Sequence, residues 1–163
     1  MEKLWFSILY VALIGILSNP FAASFSRDFS YGAFPFAPWG FEKNGRFYEK
    51  LGVRKWKDRV PDMSRVLKKL PPKNLRGGAS AEQLETLVQE TCVAELVHTA
   101  LIIMSLAVLF YWRGWGAAAF LAVYNLFGNV PFIVIQRYNR PRLVRLYERA
   151  NKKDDGLQKD KIQ

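Results

Sequence analysis

The only imidazole in the chain and a carboxylate stand three residues apart in Glu90-Thr91-Cys92-Val93-Ala94-Glu95-Leu96-Val97-His98. On a helix that spacing sets Glu95 and His98 side by side. Glu90, Thr91, Glu95 and His98 then share one arc of about 140°. A neutral imidazole next to a carboxylate is what a general base needs to activate a hydroxyl. The carboxylate fixes the tautomer and stabilises the imidazolium as it forms. The competing reading is a His–Glu–Asn network that only ties helices together, at about 1 kcal/mol or less per bond in a membrane. A resident metal is not expected. Di-metal bundles need the Glu-x-x-His pair twice, and His98 and Cys92 are the only residues of their types. One cysteine also excludes a disulfide framework. Cys92 is six residues from His98, which turns it away on a helix, so it reads as a small interfacial residue.

These residues sit at the edge of an apolar hairpin. The mean hydropathy of −0.04 hides segregation. Val93–Trp112 holds only Glu95 and His98 as charged or imidazole groups, and Gly114–Ile135 holds none. Runs of that length are what a bilayer crossing requires. Leu4–Leu17 is a third apolar run. It reads as a transmembrane anchor, or as the core of a signal peptide with Ala22-Ala23-Ser24 as its cleavage site. Charge favours the anchor. Of 24 Lys and Arg, 13 lie in residues 26–92 and 9 in 137–163, flanking the hairpin on one side. The positive-inside rule assigns that side to the cytoplasm, and a cleaved leader would export it.

The chain therefore divides into an anchor (1–25), an interfacial segment and connector (26–79), a helical hairpin core (80–142), and a basic helix end with a disordered tail (143–163). The fold class is an all-α integral membrane protein with about three spans. Eleven aromatics between Phe21 and Trp56, mixed with Pro, Gly and Lys/Arg, suit a segment lying among headgroups. The alternative is a small aromatic core capping the bundle. Pro71-Pro72 and Gly77-Gly78 break any helix in the connector. Ser80 with Gln83 fits a capping box, opening a helix that runs over 80–112 and projects from the membrane.

Hairpin geometry supplies partners. With the turn at Arg113-Gly114, residues at equal depth have numbers summing to about 227, by the common rise of the two helices. His98 then meets Asn129, Glu95 meets Phe132, and Glu90 meets Arg137. Pro131 cannot donate to the Phe127 carbonyl, which leaves an acceptor near Asn129.

Four segments, in order, resemble the glycosyl-4,4′-diaponeurosporenoate acyltransferases of staphyloxanthin-type carotenoid synthesis. They are Phe41–Tyr48, Val53–Asp58, Glu90-Thr91 with Ala94-Glu95-Leu96 and His98, and Asn129-Val130-Pro131 through Gln136–Leu143. The resemblance spans roughly residues 40–145. It implies transfer of a fatty acyl group from a thioester, acyl-CoA or acyl carrier protein, to a sugar hydroxyl of a membrane-embedded glycolipid. No bound cofactor is expected.

Roles follow from the chemistry. His98 with Glu95 supplies the base, and Asn129 or Arg137 the oxyanion donor. Arg54, Lys55, Lys57, Arg140 and Arg142 suit the donor's phosphates, with Glu90, Trp56, Gln136, Tyr138 and Asn139 as further substrate contacts. The expected partners are membrane lipids, the apolar glycolipid acceptor and the acyl thioester. A net charge of +10 is satisfied by such anions. Nucleic-acid binding would use the charge and not the hairpin, so it is not expected. The alternative function is non-enzymatic binding of a polyisoprenoid or lipid.

Overall fold

The computed structural model describes residues 1–60 and 79–160, with side chains as far as Lys152. The connector breakers and the last three residues lie outside the described residues. The elements are α1 (Glu2–Ser24), α2 (Arg46–Lys50), α3 (Val53–Trp56), α4 (Ala81–Ser105), α5 (Val108–Tyr111), α6 (Trp115–Gly128) and α7 (Val130–Asp160). Short 3₁₀ turns cover Gly40–Gly45 and Lys57–Arg59. Three stretches are long and apolar enough to cross a membrane: Glu2–Ser24, Ala81–Tyr111 and Trp115–Lys152. The chain is thus an all-α protein built on three helices of spanning length.

The start of α4 is the expected capping box. The Ser80 hydroxyl accepts from the Gln83 amide, and the Gln83 side chain accepts from the Ser80 amide, both at 3.2 Å. Leu84, Leu87 and Val88 are buried in its first turns, and α7 is its main neighbour. The helix tightens near its far end. The amides of Leu106 and Ala107 donate to the carbonyls of Ile103 and Met104, three residues back. Tyr10 of α1 donates to the same Met104 carbonyl at 2.9 Å. Gly114, at φ 107°, then makes the reversal into α6.

Helix α1 runs antiparallel to α4. Ile14 packs with Val93, Val97 and Leu101, while Val11 packs with Val108, Ala117 and Leu121. The third span is two helices joined at Asn129, whose φ of −121° and ψ of −50° break the α geometry. Pro131 falls in the first turn of α7, where its missing N–H costs no intrahelical bond.

Helix α7 departs from expectation at its far end. It continues through Pro141 to Asp160, whereas disorder was expected after Asn151. The physical reason is propagation. The helix is nucleated inside the bundle, so each added residue brings a bond without a new nucleus. Residues 142–155 contain no Gly or Pro and are mostly good helix formers.

Residues 25–60 fold over the end of the spans. Gln89 of α4 holds the Phe29 backbone, accepting from its N–H at 2.8 Å and donating to its carbonyl at 3.1 Å. Phe36, Tyr48 and Val53 are buried, while Phe34, Trp39, Phe41 and Phe47 remain exposed. The segment is therefore a cap on the bundle, the alternative sequence reading, with an aromatic outer face. Gly45 seats it on α7. Its φ is +91°, and an added Cβ would lie 3.3 Å from the Tyr138 carbonyl oxygen.

Gly45→Ala should lower the thermal midpoint in detergent, because the left-handed conformation alone costs about 1–2 kcal/mol. Gly40→Ala meets nothing within 4 Å and should leave the midpoint in place. Equal midpoints for the two variants would contradict this seating of the cap.

Candidate active site

Arg137 and Arg140 stand on one face of α7, three residues apart, and both are buried. Arg137 donates from Nε to Glu95 at 2.8 Å, from Nη1 to Glu42 at 2.7 Å and from Nη2 to the Pro35 carbonyl at 2.6 Å. Arg140 donates from Nε to the Thr91 hydroxyl and from Nη1 to the Phe36 carbonyl, both at 2.9 Å. Its Nη2 reaches the Thr91 carbonyl at 2.9 Å and the other oxygen of Glu95. Tyr48 donates to Glu42 Oε1, and the Trp39 amide donates to Oε2 at 2.9 Å. The guanidinium of Arg137 lies 4.6 Å from the Trp39 ring centroid, a cation–π contact.

Two carboxylates thus face two guanidiniums in one closed network. Burial first, and then the bond to Glu42, push the Tyr48 hydroxyl well above its ordinary pKa. It stays protonated and holds the cap's carboxylate in place.

This geometry corrects two expected pairings. No hydrogen bond joins Glu95 to His98, because both Glu95 oxygens are taken by arginines. Glu90 does not meet Arg137 but pairs with Arg27, just after α1. The physical reason is side-chain direction. Each side chain leans toward the N-terminus of its own helix. On antiparallel helices, Arg137 leans inward and Glu95 leans outward, so they converge although they are not level. Glu90 and Arg137 are level, and they lean apart.

His98 meets Asn129 as the equal-depth rule requires, with Nδ1 3.0 Å from Oδ1. Its ring stacks on Phe132 at 4.4 Å. Asn129 donates to Asn125 Oδ1 at 3.0 Å, and Asn125 donates to the Ser105 hydroxyl at 3.1 Å. Ser105 donates to the Ile102 carbonyl. The chain of bonds runs in one direction. It assigns the proton to Nδ1 of His98 and leaves Nε2 with a lone pair and no partner among the described residues.

A pocket of about 300 Å³ opens beside the network. Arg137, Arg140 and Glu42 line it, together with Tyr31, Asn44 and Arg145. Seven of the ten N–H groups of Arg137 and Arg140 are committed in the network, leaving three.

The remaining expected contacts are dispersed. Arg54 and Lys55 are exposed. Trp56 donates to the Leu51 carbonyl at 3.2 Å, and Lys57 pairs with Asp58. Arg142 bonds Glu49 and lies over the Tyr138 ring at 4.2 Å. Tyr138 is fully buried, while Gln136 and Asn139 are half-buried and outside the network. Sequence reasoning missed Glu42. Its signal was available: it is the one carboxylate between Phe29 and Tyr48, set among aromatics and glycines.

Residues 33–149 match the family model described as glycosyl-4,4′-diaponeurosporenoate acyltransferase. The chain belongs to that family. A Staphylococcus aureus (strain COL) protein of that name is 34% identical over 113 residues, covering 68% of this chain and 67% of its own. The strain Newman protein of the same name is 32% identical over 122 residues, covering 74% of this chain and 72% of its own. No solved structure gives a significant match. The matched region contains the whole Arg–Glu network, His98 and Asn129. Membership makes the chain an acyl-transferring enzyme, in place of a purely lipid-binding protein.

Glu95→Gln should destabilise the fold by about 3–5 kcal/mol, since it strips a buried carboxylate from two buried guanidiniums. Glu90→Gln breaks only a partly exposed pair and should cost about 0–1 kcal/mol. Detergent or denaturant unfolding of both variants checks this. Equal losses would contradict the assignment of the network to Glu95.

Proposed function

We propose that the protein transfers a fatty acyl group from a thioester to a sugar hydroxyl of a glycosylated carotenoid in the bacterial cell membrane, at its cytoplasmic face. The names of its relatives support the acceptor class. The distribution of Lys and Arg around the hairpin supports the orientation. The observation that carries the chemistry is the bond from His98 Nδ1 to Asn129, which leaves Nε2 as an acceptor.

In this reading His98 is the general base, and Asn129, not Glu95, fixes its tautomer. Nε2 removes the proton of the sugar hydroxyl as the oxygen attacks the thioester carbonyl. The carbon–sulfur bond then breaks, and the imidazolium returns its proton to the departing thiolate. Asn129 is a positioning residue here, with its amide already committed to His98 and Asn125. Oxyanion and phosphate contacts fall to the uncommitted N–H groups of Arg137 and Arg140 at the pocket. The long apolar acceptor lies in the membrane, and the exposed Trp39, Phe41 and Phe47 guide its sugar end.

Glu95 and Glu42 are excluded as bases by their bonds to arginine. No resident cofactor is invoked, and the acyl thioester is a co-substrate.

His98→Ala should lower kcat for acyl transfer by about 10²–10⁴-fold while the thermal midpoint stays near that of the parent. Asn129→Ala should lower kcat by a smaller factor, since the base remains and only its orientation is lost. The assay is transfer of a labelled acyl chain to a glycosylated carotenoid in lipid nanodiscs. A folded His98→Ala protein with parental turnover would remove the base from the mechanism.

A further inference from the structure

The part of α7 beyond the pocket has no assigned role, yet it is not randomly charged. Arg142, Arg145, Arg149 and Lys152 follow one another at intervals of three, four and three residues, and all four are exposed. At 100° per residue they fall within an arc of about 80° and rise over about 15 Å. They form one basic stripe along a helix. The stripe is continuous with the pocket, because Arg145 lines both.

The stripe is remote from the base. Arg145 lies sixteen residues beyond Asn129, the partner of His98, or about 24 Å along the helix axis. An anionic group held there reaches His98 only through a long, thin arm carrying the thioester. Pantetheine is such an arm, and both coenzyme A and acyl carrier protein present it. The shape of the stripe separates them. Coenzyme A crowds its phosphates at one end of the arm, which calls for a compact cluster of cations. Cations in line over three turns, with Arg142 at the near end also bonding Glu49, match a row of Asp and Glu on a facing helix.

An anionic membrane surface fits less well. A helix leaving the bilayer meets a plane of headgroups at one end only.

We propose that the exposed stripe Arg142–Lys152 is the docking surface for an acidic, helical acyl carrier protein whose pantetheine arm enters the pocket at Arg145. This rests on the acyl-transfer reading above and names the donor for it.

The experiment uses the full-length protein in nanodiscs of neutral lipid. It compares an acylated acidic carrier protein with acyl-CoA of the same chain length. The variant is Arg149→Glu with Lys152→Glu, two exposed positions outside the pocket. The expected result is carrier binding weakened at least tenfold, with KM for the acylated carrier raised in step and kcat unchanged. Transfer from acyl-CoA should not change, and carrier binding to the parent should weaken as salt rises.

The proposal is overturned if the carrier does not bind the parent protein, or if the double variant binds it equally well. It is overturned also if acyl-CoA is the donor whose KM rises, or if the variant alters only binding to anionic vesicles. Absence of transfer from either donor would defeat the acyl-transfer reading instead, and the direct binding measurement still decides the fate of the stripe.

Discussion

Two buried guanidiniums three residues apart on one helix demand carboxylates and carbonyls in fixed places. Arg137 and Arg140 take theirs from two different parts of the chain. From α4 come Glu95 and Thr91, and from the cap come Glu42 and the carbonyls of Pro35 and Phe36. One network therefore locks the hairpin register and seats the aromatic segment over the spans. In water such pairs add little, but an unmatched charge at these positions would be severely penalised. The network thus explains why a segment rich in Pro, Gly and aromatics adopts one arrangement against the bundle.

The same network divides the labour within the site. Both acids are bonded to arginine. The imidazole is left to an amide. Asn129 sits where the third span breaks, at the junction of α6 and α7, and its side chain donates to Asn125, which is itself held by Ser105. A rigid series of bonds deeper in the bundle thus presents one nitrogen of His98. The arginines keep spare N–H groups beside the pocket, which the proposed mechanism uses for the thioester oxygen. In the proposed mechanism, base and electrostatic contacts come from different layers of one helix pair.

Much of this was legible in the residues. The capping box at Ser80, the three spans and the meeting of His98 with Asn129 follow from periodicity and from the common rise of antiparallel helices. What failed was the treatment of long side chains as points at the depth of their own Cα. Arg137 and Glu95 lean along their helices toward each other, so they pair across levels and Glu90 is left to Arg27. Glu42 was missed for a different reason: the sequence marks it as a lone carboxylate among aromatics but does not name its partner. Its place depends on a cap whose fold is set by contacts distant in sequence, and no local pattern encodes a carboxylate reaching Arg137, 95 residues away. The continuation of α7 to Asp160 was missed because composition alone reads a charged tail as unfolded, while a helix already nucleated needs little to extend.

The most direct test concerns the proton on His98. It is the only histidine in the chain, so ¹⁵N-histidine labelling gives one pair of ring resonances. Solid-state NMR of the protein in lipid, on the neutral imidazole, should show Nδ1 protonated and Nε2 bare. A proton on Nε2, with the lone pair of Nδ1 turned toward Asn129, would contradict the account, because the nitrogen facing the substrate could not then act as a base.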